Sequence, residues 1–391
     1  MQGAASKLIP VPSRSYSAQV LRDTLRRPGA KLGVVWIGLL ALASVFAPFV
    51  ASSYPILMKQ HDRWNSPLLA HLTAVDVVLL LTFAAVPVVA CLPRPNAGRK
   101  ALLLTGFVLL TTLLAWWLVP QRGAVDLGIY RELEAAGRFQ YVLRAPIPYS
   151  PSDRLFDRRF RLQPPSSAHR LGTDENGADV LSQIIHASRI AMSIGFVSTG
   201  IAVLIGVTIG GIMGYFSGRV DILGMRVIEI VDAIPTLFLL LMAVAIFGHN
   251  LYMMMAIIGF TGWVHYARFT RAEYLKLRQQ DFVQAAIASG FRLRSILFRH
   301  MLPNGISPVL VGASFGVASA ILLESTLSFL GLGLVDEPSW GQLLKQSIGV
   351  SGFQWWTAIF PGIAIFLTVY SYNLIGEALR DALDPRLRNW R

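Results

Sequence analysis

Runs of about 20 apolar residues recur along the chain, and they restrict its fold more than any other feature. In lipid only a helix or a closed barrel satisfies its own backbone hydrogen bonds, and about 20 helical residues cross a bilayer core of roughly 30 Å. The chain is therefore predicted to be an all-α polytopic membrane protein. The runs predict eight membrane-spanning helices, at residues 32–51, 71–92, 101–119, 190–215, 221–247, 251–270, 306–331 and 355–377.

The composition excludes an ordinary soluble protein, because 54% of the residues are hydrophobic and only 15% are charged. A net charge of +13 is compatible with binding to nucleic acid. Membrane proteins, however, collect Lys and Arg in their cytoplasmic loops, and this accounts for the same excess of positive charge. We therefore expect no nucleic-acid partner. With both termini in the cytoplasm, most basic residues lie in cytoplasmic segments, namely 1–31, 93–100, 216–226, 268–305 and 378–391.

The first apolar run follows six basic residues and is longer than the apolar core of a secretory signal, so it predicts a retained membrane anchor. Asp76 and Pro87 interrupt the second run, which makes it a less regular span. Cys91 is the one cysteine, so the sequence offers neither a disulfide nor a thiolate metal site. The histidines form no paired-ligand motif, and no catalytic, cofactor-binding or metal-binding residues are predicted.

The segment 120–189 is too long for a tight connection, and its prolines favour extended or turning backbone. It is predicted to be a partly structured extracytoplasmic loop. From Thr173 onward the pattern becomes helical, with Thr173 or Asp174 as the N-terminal cap and an apolar stripe on one face. This predicts an amphipathic helix that lies along the membrane face before the span 190–215.

The polar, basic segment 281–304 lies between two predicted spans and must be presented to the aqueous phase. Alanines at 285, 286 and 288 would give its first helix a surface without bulk, and Gly290 would break that helix. A second short helix would place Leu293, Ile296 and Leu297 on one face and arginines elsewhere, and Pro303 would begin the next span. These residues alone fit a protein-docking element and an amphipathic connector on anionic headgroups equally well.

The motif "QAAIASG…RHMLPN" resembles the cytoplasmic coupling loop of bacterial ABC-importer permeases of the dipeptide/oligopeptide/nickel family, in their C-type inner-membrane subunit. Further motifs match the same family in order: "RRPGAKLGVVWIG", "LGTDENGADVLSQIIHASRIAMSIG", "GYFSGRVDILGMRVIEIVDAIPTLFL", "GWVHYARFTRAEYLKLRQQDFVQAA", "ESTLSFLGLG…PSWGQLL" and "WWTAIFPGIAIFLTVYSYNLIGEALRDALDPRLR". The resemblance covers residues 166–391 nearly continuously. The long loop and the extra N-terminal length are similar to a subgroup that handles peptides and peptide-like antibiotics such as microcin C.

The resemblance implies a six-helix core, to which this chain adds two N-terminal spans. It also implies a second permease subunit, two cytoplasmic ATPase subunits and an extracytoplasmic substrate-binding protein as partners in the lipid bilayer. ATP would be used by the ATPase, since the chain has no phosphate-binding GxxxxGK[ST] motif and binds no cofactor itself. The implied coupling residues are Asp281, Gln284, Ala285, Ala286, Gly290, Arg292, Arg294, Arg299, His300 and Pro303.

The chain departs from the family pattern at three positions. Gln284 replaces the glutamate of the coupling motif, which removes one charge but keeps hydrogen-bonding capacity. Ala178 and Gln183 stand where the family often has arginine. The strength of the contact with an ATPase is therefore left open.

Several ionisable residues lie within or beside the predicted spans, where such groups are often functional. Arg226, Glu229 and Asp232 follow one another at i+3 spacing and are expected to pair along one helix face, with a kink at Pro235 just beyond. Glu324 lies deeper, and either lines a translocation path or caps a helix break. Four small residues at near-helical spacing predict close helix packing: Gly206, Gly210, Gly211 and Gly214.

The sequence thus predicts a non-enzymatic permease subunit of an ATP-driven importer, which moves peptides or peptide-like solutes across the bacterial inner membrane by alternating access. An ion- or proton-coupled secondary transporter that uses Glu229, Asp232 and Glu324 is one alternative, and a permease for nickel-type metal complexes is another. The expected organisation is a cytoplasmic segment 1–31, a three-span region 32–119 with the two extra spans, the loop 120–189, a five-span core 190–377 that includes the coupling loop 271–305, and a cytoplasmic tail 378–391.

Overall fold

The computed structural model describes residues 16–60, 63–92, 97–119, 129–153, 161–334, 337–349 and 352–383. The outer parts of both predicted terminal segments, residues 1–15 and 384–391, lie outside the described residues. Helices make up most of the described chain, so the all-α prediction is confirmed. Strands occur only in one small sheet of the described part.

The helices are numbered along the chain. The N-terminal ones are α1 (Tyr16–Arg26), α2 (Pro28–Val50), α3 (Pro67–Ala70), α4 (Ala74–Cys91), α5 (Ala97–Leu118) and α6 (Ile129–Ala135). The middle ones are α7 (Val180–Phe216), α8 (Gly218–Asp232), α9 (Thr236–Phe247), α10 (Leu251–Leu277), α11 (Asp281–Ala288), α12 (Leu293–Ser295) and α13 (Leu302–Gly305). The last ones are α14 (Ser307–Phe329), α15 (Trp340–Gln346) and α16 (Trp355–Leu383).

Six of the eight predicted spans are confirmed as helices that are long and apolar enough to cross a membrane: α2, α4, α5, α7, α14 and α16. The span 221–247 is sharply bent, since α8 and α9 meet at an angle of 68°, and the predicted kink at Pro235 is therefore confirmed. Pro235 stands at the start of α9 and has no N–H to continue the helix. The span 251–270 lies within α10, which is helical but less apolar and does not meet the same requirement of length and hydropathy.

The longest helix, α7, has 37 residues and packs in parallel against α10. Glycines on α7 face the α10 backbone directly: a Cβ at Gly210 would lie 2.3 Å from the carbonyl oxygen of Ala267, and one at Gly214 would lie 2.7 Å from that of Arg271. Such close approach lets dispersion forces act between the two backbones in lipid. The predicted packing role of the glycines is confirmed.

The start of α7 differs from the prediction. The helix begins at Val180 rather than near Thr173, and Asp179 caps it by accepting the N–H of Ser182 at 2.8 Å. Asp174 lies in the preceding turn, where its Oδ1 accepts the N–H of Ala178 at 2.8 Å. From Val180 the helix continues unbroken to Phe216, so the described residues 161–216 contain no separate amphipathic helix before the span.

A small antiparallel sheet joins two connections that were predicted as separate loops. Its strands are β1 (Leu57–Gln60), β2 (Arg63–Asn65) and β3 (Tyr141–Leu143), in the order β2-β1-β3. Ser53, just after α2, donates its hydroxyl to Asp153 at 2.6 Å, and this bond strengthens the junction between the two connections. This sheet lies at the end of α7 that begins at Val180, since the Ser182 hydroxyl donates to the carbonyl of Tyr149 at 2.8 Å.

Candidate functional site

The candidate site is the connection between α10 and α14, residues 278–306, which is called the coupling segment below. The predicted loop began at residue 271, but α10 continues to Leu277 because Tyr274 and Leu277 bury their side chains at its end. The segment then contains α11, a turn, α12, a π-helical turn (Ile296–Met301) and α13. It lies at the end of α7 opposite the sheet, where Tyr274 contacts Gly211 and Gly214.

Gly290 ends α11, as the sequence predicted. Its φ of +71° is in the left-handed region, which glycine adopts without strain. The N–H of Gly290 donates to Ile287 O at 3.0 Å, and that of Phe291 donates to Ala286 O at 3.2 Å. These two bonds form a Schellman motif, which fixes the direction in which the chain leaves the helix.

The inner side of the coupling segment is apolar and packs on the end of α10. Its buried residues form one cluster with Tyr274 and Leu277: Val283, Ala286, Ile296, Leu297 and Met301. The hydroxyl of Tyr274 also donates to the carbonyl of Leu297 at 2.8 Å. The segment is therefore attached firmly to α10 and is more than a flexible linker.

Ala286 belongs to this inner side, contrary to the prediction that it forms an open docking surface. Its exposed fraction is 4%, because it shares a helix face with Val283 three residues earlier. Ala285 and Ala288 do face outward. The open surface of α11 is therefore narrower than the alanine run suggested.

The second predicted helix and its proline also differ from expectation. Ile296 and Leu297 are buried, but Leu293 is exposed, so the three do not share one covered face. Pro303 lies in the one-turn helix α13, and α14 begins only at Ser307 with its own proline, Pro308, in the first turn.

The outer side of the coupling segment combines large apolar side chains with exposed arginines, and it is called the coupling face below. Five apolar residues are between 38% and 52% exposed: Phe282, Ile287, Phe291, Leu293 and Phe298. The exposed arginines among them are Arg292, Arg294 and Arg299. An apolar patch with a polar rim on a cytosolic or periplasmic loop is typical of a protein interaction site.

Sequence reasoning missed the three phenylalanines of this face. The signal was available, because Phe282, Phe291 and Phe298 lie in a segment too short and too basic to be a membrane span. Large aromatic residues that a polar segment cannot bury are candidates for contact with a partner.

Two further predicted coupling residues, Gln284 and His300, have contacts within the segment. Gln284 donates its amide to the carbonyl of Arg278 at 2.8 Å, so it helps to close the end of α10. The ring of His300 lies 5.3 Å from that of Phe291, and the carbonyl of His300 accepts the Asn304 amide at 2.7 Å. Asp281 lies in the first turn of α11, where the helix dipole favours a negative charge.

The three carboxylates that the alternative secondary transporter would use have separate partners. Glu229 pairs with Arg226 at 2.6 Å, but Asp232 pairs with Arg268 on α10 at 2.7 Å, so the expected pairing along one helix face is only half correct. Glu324 is buried and accepts the hydroxyl of Ser328 at 2.6 Å.

The surroundings of Glu324 are a junction between two helices. It lies near the end of α14, where α15 packs closely: a Cβ at Gly341 would be 2.1 Å from the carbonyl oxygen of Ser325. Both roles predicted for Glu324, path lining and capping of a helix break, stay predictions.

In comparisons with known proteins, the matching family and the similar relatives are all components of transport systems. The family described as "Binding-protein-dependent transport system inner membrane component" matches residues 206–389. A dipeptide transport system permease of Alkalihalophilus pseudofirmus is 37% identical over 246 residues, which are 63% of this chain and 81% of the relative. An oligopeptide transport system permease of Haemophilus influenzae is 40% identical, over 56% of this chain and 71% of the relative. A glutathione transport system permease of Pectobacterium atrosepticum is 36% identical, over 69% of this chain and 89% of the relative.

Proposed function

The chain belongs to the family of inner-membrane permeases of binding-protein-dependent transport systems, and from that premise we propose that its substrates are peptides or peptide-like solutes. The support is that the relatives named above are dipeptide, oligopeptide and glutathione permeases. Nickel-type metal complexes are the second substrate class, and the microcin-C-like subgroup remains a sequence prediction.

The proposed assembly contains this chain, a second permease subunit, two ATPases and a substrate-binding protein. In the proposed orientation the coupling segment and both termini face the cytoplasm, and the sheet faces the other side. The basic residues of the coupling face support this orientation, because Lys and Arg accumulate on the cytoplasmic side of membrane proteins. ATP hydrolysis takes place on the ATPase subunits.

The observation that carries the proposal is the coupling face, an apolar and basic surface on a segment attached firmly to α10. In the proposed mechanism, ATP-driven closure of the ATPases displaces this face. The cluster around Tyr274 passes the displacement to α10, and the glycine contacts pass it to α7. Because packed helices shift as units, a movement at the segment changes access at the far end of α7.

The charged part of the coupling face can be tested by Arg294→Glu. Reversing one exposed arginine beside the apolar patch is expected to lower substrate-stimulated ATP hydrolysis of the purified complex about three- to fivefold, with the loss reduced at high salt. Arg219→Glu is the matched control, because Arg219 is also exposed and lies in the first turn of α8, outside the segment.

Equal ATP hydrolysis in the two variants would contradict the assigned role of the coupling face. The same preparation tests the assembly itself. If this chain transports substrate without any co-purifying ATP-binding subunit, the ABC proposal is wrong and an ion-coupled mechanism must replace it.

A further inference from the structure

Helices α4 and α5, residues 74–91 and 97–118, form an antiparallel pair beside the core that is called the accessory hairpin below. Along its length α4 packs on α5 and touches α2, while the main neighbour of α5 is α4. Most apolar side chains of the hairpin are exposed, as expected for helices that face lipid. Apolar packing therefore fixes the hairpin to the core over only a small area.

One charged residue of the hairpin, Asp76, points toward the core and away from lipid. Asp76 is 4% exposed and is the buried residue of α4, all of which the structure describes. Its Oδ1 lies 2.6 Å from Nη1 of Arg189 on α7. Its Oδ2 accepts the backbone N–H and the hydroxyl of Thr73 at 2.7 and 2.8 Å, which closes a capping box at the start of α4.

Arg189 is held on its other side by α2. Its Nε donates to the carbonyl of Ser44 at 2.7 Å, and the hydroxyls of Ser44 and Ser188 lie 2.9 Å apart. One turn earlier on α7, Nε2 of His186 donates to the carbonyl of Ala51 at 3.0 Å. Arg189 therefore joins three helices, of which α2 and α7 belong to the core and α4 belongs to the hairpin.

We propose that the Arg189–Asp76 pair positions the accessory hairpin on the core, and that the core in turn requires the hairpin to neutralise Arg189. The side chain of Arg189 is 14% exposed, and its Nη2 is buried without a hydrogen-bond partner among the described residues. Asp76 is the carboxylate that faces this guanidinium. A buried ion pair is costly to break from one side, because the remaining charge then lies unpaired in a low dielectric. A core without the hairpin would contain such a charge.

Position and charge are tested separately by a double-mutant cycle of Asp76→Asn and Arg189→Met in the full complex in nanodiscs. Cys91, the one cysteine and exposed at the end of α4, takes one spin label, and Leu204→Cys, 70% exposed on α7, takes the second. The electron–electron distance distribution is expected to be narrow in the parent protein. In both single variants and in the double variant, its width is expected to rise at least about twofold.

Thermal unfolding measures how much stability is lost when the buried charge of Arg189 has no partner. Asp76→Asn is expected to lower the apparent Tm by about 5–10 °C, because it leaves Arg189 buried and unpaired. The double variant is expected to recover most of that loss, because it leaves no buried charge. Asp23→Asn, which removes the exposed partner of Arg26, is the control and should leave both the width and the Tm unchanged.

Two results would overturn the proposal. An unchanged distance distribution in Asp76→Asn would show that the pair does not position the hairpin. Tm losses that simply add in the double variant would show that Asp76 and Arg189 act independently.

Discussion

Gly210→Ala is expected to prevent the folded permease from accumulating in the membrane, whereas Gly200→Ala on the same helix is expected to have no such effect. The added methyl group at position 210 would lie 2.3 Å from the carbonyl oxygen of Ala267 and 2.8 Å from its Cα. These are backbone atoms of α10 and cannot rotate away, so the two helices must separate. Overpacking of this kind costs about 1–3 kcal/mol and occasionally more, and the separation also removes the contacts at Gly206 and Gly214.

Gly200 is the matched control because a Cβ there meets nothing within 4 Å. Both changes replace glycine with alanine in α7, so they share the same gain in helix propensity and differ only in the space available. The measurement is the amount of monodisperse complex after detergent extraction, together with its apparent Tm. Equal yields of the two variants would show that α7 and α10 do not pack as closely as the structure places them.

The packing of α7 on α10 could be predicted because its signal is local. Four glycines within nine residues of an apolar helix need no knowledge of the partner to indicate a closely approached face. The spans and the break at Gly290 were predictable for the same reason. In each case the residue type and its spacing carry the physical cause.

The features that sequence reasoning missed depend on partners far along the chain. Lys59 pairs with Trp64 in β2 but also with Tyr141 in β3, and strands of three or four residues are too short to show an alternating pattern. Asp76 was read as an interruption of an apolar span, since nothing near it indicates Arg189. Ala286 looked open because the cluster in which it is buried is built from α10 and the π-helical turn as well as from its own helix.

Gly290→Val is expected to abolish most transport, at least about tenfold, while the protein still folds and inserts. A β-branched residue at φ +71° is strained, and the cost of about 1–3 kcal/mol is relieved by a change of backbone direction at the end of α11. The hydrogen bonds from Gly290 to Ile287 and from Phe291 to Ala286 would then be lost. The phenylalanines and arginines that follow the turn would no longer form one surface with α11.

A series of substitutions at position 290 separates the effect of backbone strain from the effect of side-chain size. A Cβ at Gly290 meets nothing within 4 Å in this chain, so any effect comes either from backbone strain or from contact with an ATPase. Asparagine is larger than alanine but tolerates the left-handed region better. If strain decides, substrate-stimulated ATP hydrolysis falls in the order Gly, Asn, Ala, Val. If Gly290→Asn is more damaging than Gly290→Ala, bulk against the partner decides instead, and Gly290 lies within the docking surface rather than serving to orient it.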